Sequence, residues 1–203
     1  MLVLIKGAGD LATGTAVRLY RAGIKVVMTE VAQPTAVRRT VAFSQCMYDG
    51  AAQVEGISAR RAEDAGAARR ALERGEVPVL CDPEAAILRE LSFDGVVDAI
   101  LAKRNLGTAI TDAPVVLALG PGFTAGVDCH GVVETMRGHN LGRLLTQGSA
   151  APNTGVPGDV GGYTTQRIIR APADGAFEPL AAIGQRVKEG QPVARVAGRT
   201  ACA

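Results

Sequence analysis

The sequence predicts an α/β protein: a parallel sheet flanked by helices, followed by a small all-β segment. Three observations carry this. The chain opens on an apolar run, a Gly-rich turn and a helix-periodic stretch. Short apolar runs then recur between helical or turn-forming segments as far as about residue 145. The last forty or so residues change to short strand-like runs separated by Gly-containing turns. The chain has 203 residues, 47% of them hydrophobic and 21% charged, which excludes a disordered or collagen-like chain. Aromatics are 3% and Gly is 25, so helix–sheet contacts must be built from Ala, Val, Leu and Ile. The net charge is +2 and no basic block is interleaved with aromatics, which argues against a nucleic-acid partner.

Residues 2–6, LVLIK, form the first strand, residues 11–22 a helix stopped by Gly23, and residues 25–29 the second strand, ended by Glu30. Between the first strand and the helix lies Gly7-Ala8-Gly9-Asp10-Leu11-Ala12, with Gly14 just beyond. This is the dinucleotide fingerprint in its own strand–turn–helix context, so the first domain is expected to be Rossmann-like. Gly7 permits the tight turn, Gly9 lets the backbone approach a pyrophosphate, and Ala12 lets helix and strand pack closely. Glu30 lies where an acid would bind a ribose diol, which favours NAD or FAD over NADP. Asp10 is discordant. A carboxylate there repels phosphate unless its side chain turns away as a helix cap or shares a cation with the ligand. The alternative is that these glycines serve close packing alone.

Further along, a short helix is expected over 35–40 and a charged helix over 59–74. A strand is expected at 77–81, a helix from Asp82-Pro83 to about Leu91, and a strand over 95–101 that places Asp98 inside the sheet or at its mouth. Lys103, Arg104 and Asn105 leave that strand at its carboxyl end, where open α/β sheets bind ligands. Lys103 and Arg104 are therefore anion-binding candidates or ordinary surface residues. Residues 115–120 read as a buried strand running into Gly120-Pro121-Gly122, whose amides could face an anion. No Lys and hydroxyl ending follows, so a P-loop is not supported.

Asp128, His130, Glu134 and His139 offer oxygen and nitrogen ligands, but their spacing matches no strong metal signature, and no metal is assigned. If 130–135 is a strand, His130 and Glu134 share a face. Arg137, His139 and Arg143 are candidates for contact with an anionic cofactor. Cys46, Cys81, Cys129 and Cys202 contain no CxxC, which argues against zinc or a redox pair. Cys46 and Cys81 read as small core fillers. Cys129 beside His130 is a weak candidate thiol, because neighbours in a strand face opposite ways. No apolar run is long enough to span a membrane and no basic leader precedes the first strand, so a reducing, cytoplasmic setting is expected.

Residues 148–162 are almost all turn formers, so a domain boundary is expected there, with residues 1–160 as the nucleotide-binding-type domain and 161–203 as the small β domain. Residues 167–197 resemble the first half of a biotinyl/lipoyl-like barrel-sandwich. Lys188 does not sit in the hairpin turn that carries the modified lysine of that family. The segment reads as incomplete. A half-sandwich exposes edges and an apolar face, which a homodimer would cover.

The motifs GAGDLATG, FSQCMYDG, VEGISA, KRNLGT, LALGPGFTAG, ETMRGHNLGR and NTGVPGDVGGY together resemble the YqeB-like accessory family of selenium-dependent molybdenum hydroxylase systems. The resemblance runs along nearly the whole chain. It implies a Rossmann-like domain followed by a small sandwich-like one. It further implies a role in maturing or inserting a molybdenum cofactor, with a hydroxylase of the xanthine or purine dehydrogenase type as partner. Carried over, the polar positions are Arg104, Asn105, Arg137, His139 and Arg143, and the Gly-rich turns are Gly7, Gly9 and Gly14, and Gly120 and Gly122. Three functions follow. The first is an accessory protein binding a molybdopterin dinucleotide through its pyrophosphate. The second is an NAD- or FAD-dependent oxidoreductase, which lacks a convincing acid–base set. The third is a scaffold without ligand.

Overall fold

In the computed structural model, which describes residues 1–203, the N-terminal apolar run forms β1 (Leu2–Lys6) and leads through the Gly-rich turn into α1 (Asp10–Arg21). Ala12, Ala16 and Val17 on α1 are buried, and small side chains at these positions let the helix lie close to the sheet. Next come β2 (Lys25–Glu30), the single turn α2 (Cys46–Asp49), β3 (Ala51–Val54), β4 (Ile57–Ala62) and α3 (Ala65–Glu73). The unit is completed by β5 (Val77–Cys81), β6 (Gly95–Asp98), β7 (Val115–Leu119), β8 (Gly131–Val133) and β9 (Leu144–Leu145). These elements belong to a compact unit, Met1–Asn153, and a second unit comprises Thr154–Ala203.

The nine strands form one sheet in the order β3-β4-β5-β2-β1-β6-β7-β8-β9. The sheet is mixed, since β4 through β8 pair in parallel while β3 and β9 pair antiparallel at the two edges. Each face carries its own core. On the α1 side Ile5, Met28 and Val79 meet Ala8, Ala12 and Phe43. On the other, Leu4, Val27, Val96 and Val116 meet Leu91, Phe93 and Phe123. The alternation of Val3, Leu4 and Ile5 between these cores is the two-residue period of a strand buried on both faces. No helix is long and apolar enough to cross a membrane.

Several local expectations change. The helix expected over 59–74 is a strand followed by a shorter helix. Residues 57–62 are β4, zipped to β3 as a hairpin, and Asp64 starts α3 by accepting the Ala67 amide at 2.6 Å. No α-helix occupies 35–40, and only the last two of those residues, Arg39 and Thr40, are helical, as the start of a 3-10 turn. Phe43 and Ser44, which follow a 3-10 turn at Arg39–Val41, instead bond through their amides to Thr13 Oγ1 and the Ala8 carbonyl, tying this segment to α1. The helix expected after Asp82 shrinks to a 3-10 turn at Ala86–Arg89, because the Asp82 carboxylate takes the Ala86 and Ile87 amides and Ala85 is left-handed. Strand β6 stops at Asp98 rather than 101, and Asp98 Oδ1 accepts the Ile100 amide. Cys81 is exposed at the end of β5 and is no core filler, whereas Cys46 is buried.

The second unit holds a three-stranded antiparallel sheet, β10 (Phe177–Pro179), β11 (Pro192–Val196) and β12 (Arg199–Cys202), in the order β10-β11-β12. It closes into neither a barrel nor a sandwich. Ala194 and Val196 are buried, while Phe177 and Ile183 are exposed.

Candidate functional site

Because β1, β2, β6, β7 and β8 are parallel, the segments that follow them emerge at one edge of the sheet. The strand order reverses at β1, whose neighbours β2 and β6 lie on opposite sides. Crevices at the carboxyl ends of strands beside such a reversal are where open α/β sheets bind ligands.

The first turn is held by its own surroundings. Gly7 has φ +93°, and a Cβ there would stand 2.9 Å from the Ala99 carbonyl oxygen. Gly7 is thus required by the close passage of the chain leaving β6. Glu30 Oε2 accepts the Ala8 amide at 2.9 Å and Oε1 accepts the Val31 amide at 2.8 Å, so this carboxylate braces the turn. Gly9 is the N-cap residue of α1 with ordinary φ −64°, and no side chain caps the helix. A Cβ at Gly9 or Gly14 would meet nothing within 4 Å. The first turn of α1 therefore faces open space with its amides uncapped, the arrangement that attracts anions. Asp10 does not cap. It pairs with Arg38, Nε to Oδ2 at 2.9 Å, which offsets its charge beside the helix N-terminus.

The second Gly-rich turn is filled by the protein itself. A Cβ on Gly120 would lie 2.7 Å from Thr135 Oγ1, and one on Gly122 would lie 2.5 Å from the Arg104 amide nitrogen. These glycines let three loops stack: 99–108, 120–126 and 134–143. Asn105 is turned inward as a loop clasp, its Oδ1 accepting the Gly107 and Thr108 amides and its Nδ2 donating to the Thr108 carbonyl. Arg104 and Lys103 are exposed on a backbone that is left-handed at both Leu101 (φ +59°) and Lys103 (φ +64°). Two such non-Gly residues so close together mark a held conformation.

Beneath this loop sits a buried polar chain that sequence reasoning missed in part. Lys6 Nζ donates to Thr108 Oγ1 at 2.6 Å, and that hydroxyl donates to Asp98 Oδ2 at 2.6 Å. All three residues are 3% exposed or less. Asp98 was legible as a buried acid. Lys6 was not, because only the β1–β6 register places it opposite Asp98.

Arg137, His139 and Arg143 lie on the exposed loop joining β8 and β9, apart from the α1 N-terminus in sequence and supported by different strands. Glu134 at the base of that loop is buried and accepts the Met136 and Ala151 amides at 2.7 and 2.8 Å. Those amides, Ala151 first, hold its carboxyl below the usual range despite burial. The strand that would align His130 with Glu134 spans only Gly131–Val133, and His130 is exposed whereas Glu134 is buried. They flank the short β8 at opposite ends, and His130 Nδ1 accepts the Val116 amide at 3.0 Å. Burial pushes the Cys129 thiol up, and that of Cys46 up to about 12, so neither is a ready nucleophile. No group of three or more His, Cys, Asp or Glu side chains is placed to hold a metal ion.

No family model matches the chain, and no solved structure matches it. The chain is 55% identical over 193 residues to the uncharacterized protein YqeB of Escherichia coli (strain K12). The match covers 95% of this chain and 36% of that protein, so the chain spans about a third of its relative's length.

Proposed function

We propose that this chain, which belongs to the YqeB family over the stretch it shares with that protein, binds a dinucleotide-like cofactor at the N-terminus of α1 and serves the maturation of a molybdenum hydroxylase. The observation that carries the reading is the uncapped first turn of α1, set at the carboxyl edge of the sheet where the strand order reverses. The β1–turn–α1–β2 unit is Rossmann-like in this reading, and the pyrophosphate lies against the amides beyond Gly9. The open direction above Gly9 leaves room for it, and the Arg38 pairing removes most of the objection raised by Asp10. Gly120 and Gly122 take no part, since the stacked loops occupy their space. Lys103 and Arg104 remain at the same edge as cations for a further phosphate or an acidic ring substituent. A selenium-dependent hydroxylase of the xanthine or purine dehydrogenase type is the recipient. The oxidoreductase alternative rests on Glu30, which already accepts two backbone amides and has only its remaining lone pairs to offer a ribose.

Native mass spectrometry tests the reading, with NAD, FAD and a molybdenum-cofactor extract added separately. A stoichiometric adduct that Gly9→Trp abolishes supports it, and the adduct mass names the cofactor. The Trp side chain enters open space at an ordinary φ, so the fold is retained. No adduct in a folded protein would move the assignment to a ligand-free scaffold.

A further inference from the structure

The loops that follow β6, β7 and β8 leave the sheet at one edge and stack on each other. Thr135 and Leu101 fill the space above Gly120, and the Arg104 backbone fills that above Gly122. The charge on these loops is one-sided. Residues 99–108, 120–126 and 134–143 carry Lys103, Arg104, Arg137 and Arg143, together with His139, against a single acid, Glu134. The whole chain has a net charge of only +2, so positive charge is concentrated here. Glu134 is 6% exposed and its carboxylate is engaged by the Met136 and Ala151 amides, so these loops present no acid outward. Lys103, Arg104 and Arg143 are exposed and form no ion pair.

The same loops expose large apolar side chains. Leu106 is 45% exposed, Leu141 57% and Met136 39%. One exposed Leu needs no explanation, but three such side chains on stacked loops that also carry unpaired cations do. Arg and Met are enriched, and Asp and Glu depleted, where proteins dock. The apolar side chains would gain nothing from a small anion. A single-stranded nucleic acid would need aromatic faces to stack on, and the one aromatic of these loops, Phe123, is 4% exposed. A second copy meeting the first through a two-fold contact would set these cations against their own kind. The face is also held in shape. Leu101 and Lys103 are left-handed, the Glu134 amide donates to the Arg143 carbonyl at 2.9 Å, and the Gly142 amide donates to the Glu134 carbonyl at 2.8 Å. A surface already ordered loses less freedom on binding.

We infer that the loops following β6, β7 and β8 form a docking surface for an acidic protein segment that carries apolar side chains. Its carboxylates meet Arg143 and the other cations of these loops, and its apolar side chains cover Leu106, Met136 and Leu141. Leu141 and Arg143, the residues chosen for the test, are not among those proposed to hold the cofactor.

The probe is a synthetic helical peptide with Leu on one face and Glu on the other. It is titrated into the full chain and followed by fluorescence anisotropy and amide chemical shifts. One control peptide has Lys in place of every Glu, and a second has Ser in place of every Leu. The acidic Leu peptide is expected to bind, shifting amides in 99–108 and 134–143, and both controls to bind at least about tenfold more weakly. Affinity should fall as salt is raised. Arg143→Glu should weaken binding about tenfold and Leu141→Ser about fivefold, with the melting temperature unchanged. Arg143→Gln, which removes the charge without reversing it, should give a smaller loss of the same sign. Absence of binding would overturn the inference, as would shifts confined to other residues. Equal affinity for the Glu–Ser peptide or for inorganic polyphosphate would reduce the face to plain anion attraction and overturn it too. Self-association of the chain that Leu141→Ser abolishes would make a second copy the occupant, with the same consequence. Peptide binding in a protein that forms no cofactor adduct would refute the cofactor reading and leave this surface standing.

Discussion

Substituting Gly122 by Ala should be among the most damaging single changes in the first unit, although it adds one methyl group at an exposed position. Gly122 has φ +108°, outside the small left-handed region that other residues visit. Holding an L-residue there costs about 1–3 kcal/mol. The new Cβ would also lie 2.5 Å from the Arg104 nitrogen and 2.6 Å from its Cα. Both are backbone atoms of a loop clasped by Asn105, so they cannot swing aside as a side-chain tip would. Overpacking of this kind adds about 1–3 kcal/mol. The sum is a loss of about 2–6 kcal/mol. At about 2–4 °C per kcal/mol for a unit of this size, the melting temperature falls by about 4–24 °C. Circular dichroism during urea and thermal unfolding measures it. Gly14→Ala, with open space and ordinary backbone, should instead gain about 1 kcal/mol of helix propensity. A loss below about 1 kcal/mol in Gly122→Ala would refute the idea that the second Gly-rich turn exists for loop stacking.

Thr108→Val should cost about 2–5 kcal/mol, because it leaves Lys6 and Asp98 buried without the hydroxyl that links them. The triple change Lys6→Met, Asp98→Leu, Thr108→Val should recover much of that loss, and chemical denaturation of the series would show whether it does. Glu134→Gln should destabilise by about 1–3 kcal/mol, since an amide NH₂ must face a backbone N–H that the carboxylate accepted. The Glu134 carboxyl is held below its ordinary value of 4.5 in the folded chain, so its stabilisation is complete above that pH. It is lost as pH falls through the depressed value, and the stability gap between wild type and Glu134→Gln should narrow over the same range. Iodoacetamide at pH 8 should label Cys81 and Cys202 in the folded protein and spare Cys46 and Cys129, as peptide mass mapping would reveal.

The parts legible from residues alone are those with a local cause. The β1–turn–α1–β2 unit was readable because periodicity, a Gly-rich turn and Gly23 act within a few residues of one another. The strand at 77–81 was readable because it is buried on both faces, and that at 115–119 because it carries a continuous apolar run, although only one of its faces is fully buried. The β3–β4 hairpin was not, since ISARRA places Ala and Arg where a helix would also accept them. Only pairing with β3 and β5 makes that segment a strand.

The same division holds at the candidate site. Gly7, Gly9 and Gly120 are all marked by composition as positions of backbone freedom, but composition does not say what the freedom is for. Neighbours distant in the chain decide that. Ala99 crowds Gly7, Thr135 crowds Gly120, Arg104 crowds Gly122, and nothing crowds Gly9 or Gly14. Likewise the acids Asp10, Glu30 and Asp98 could be listed from the sequence, while their partners Arg38, the Ala8 amide and Thr108 could not. Local sequence settles which dihedrals and which charges are available. Contacts between segments far apart in the chain settle which of them are consumed by the fold and which are left facing solvent, where a ligand can reach them.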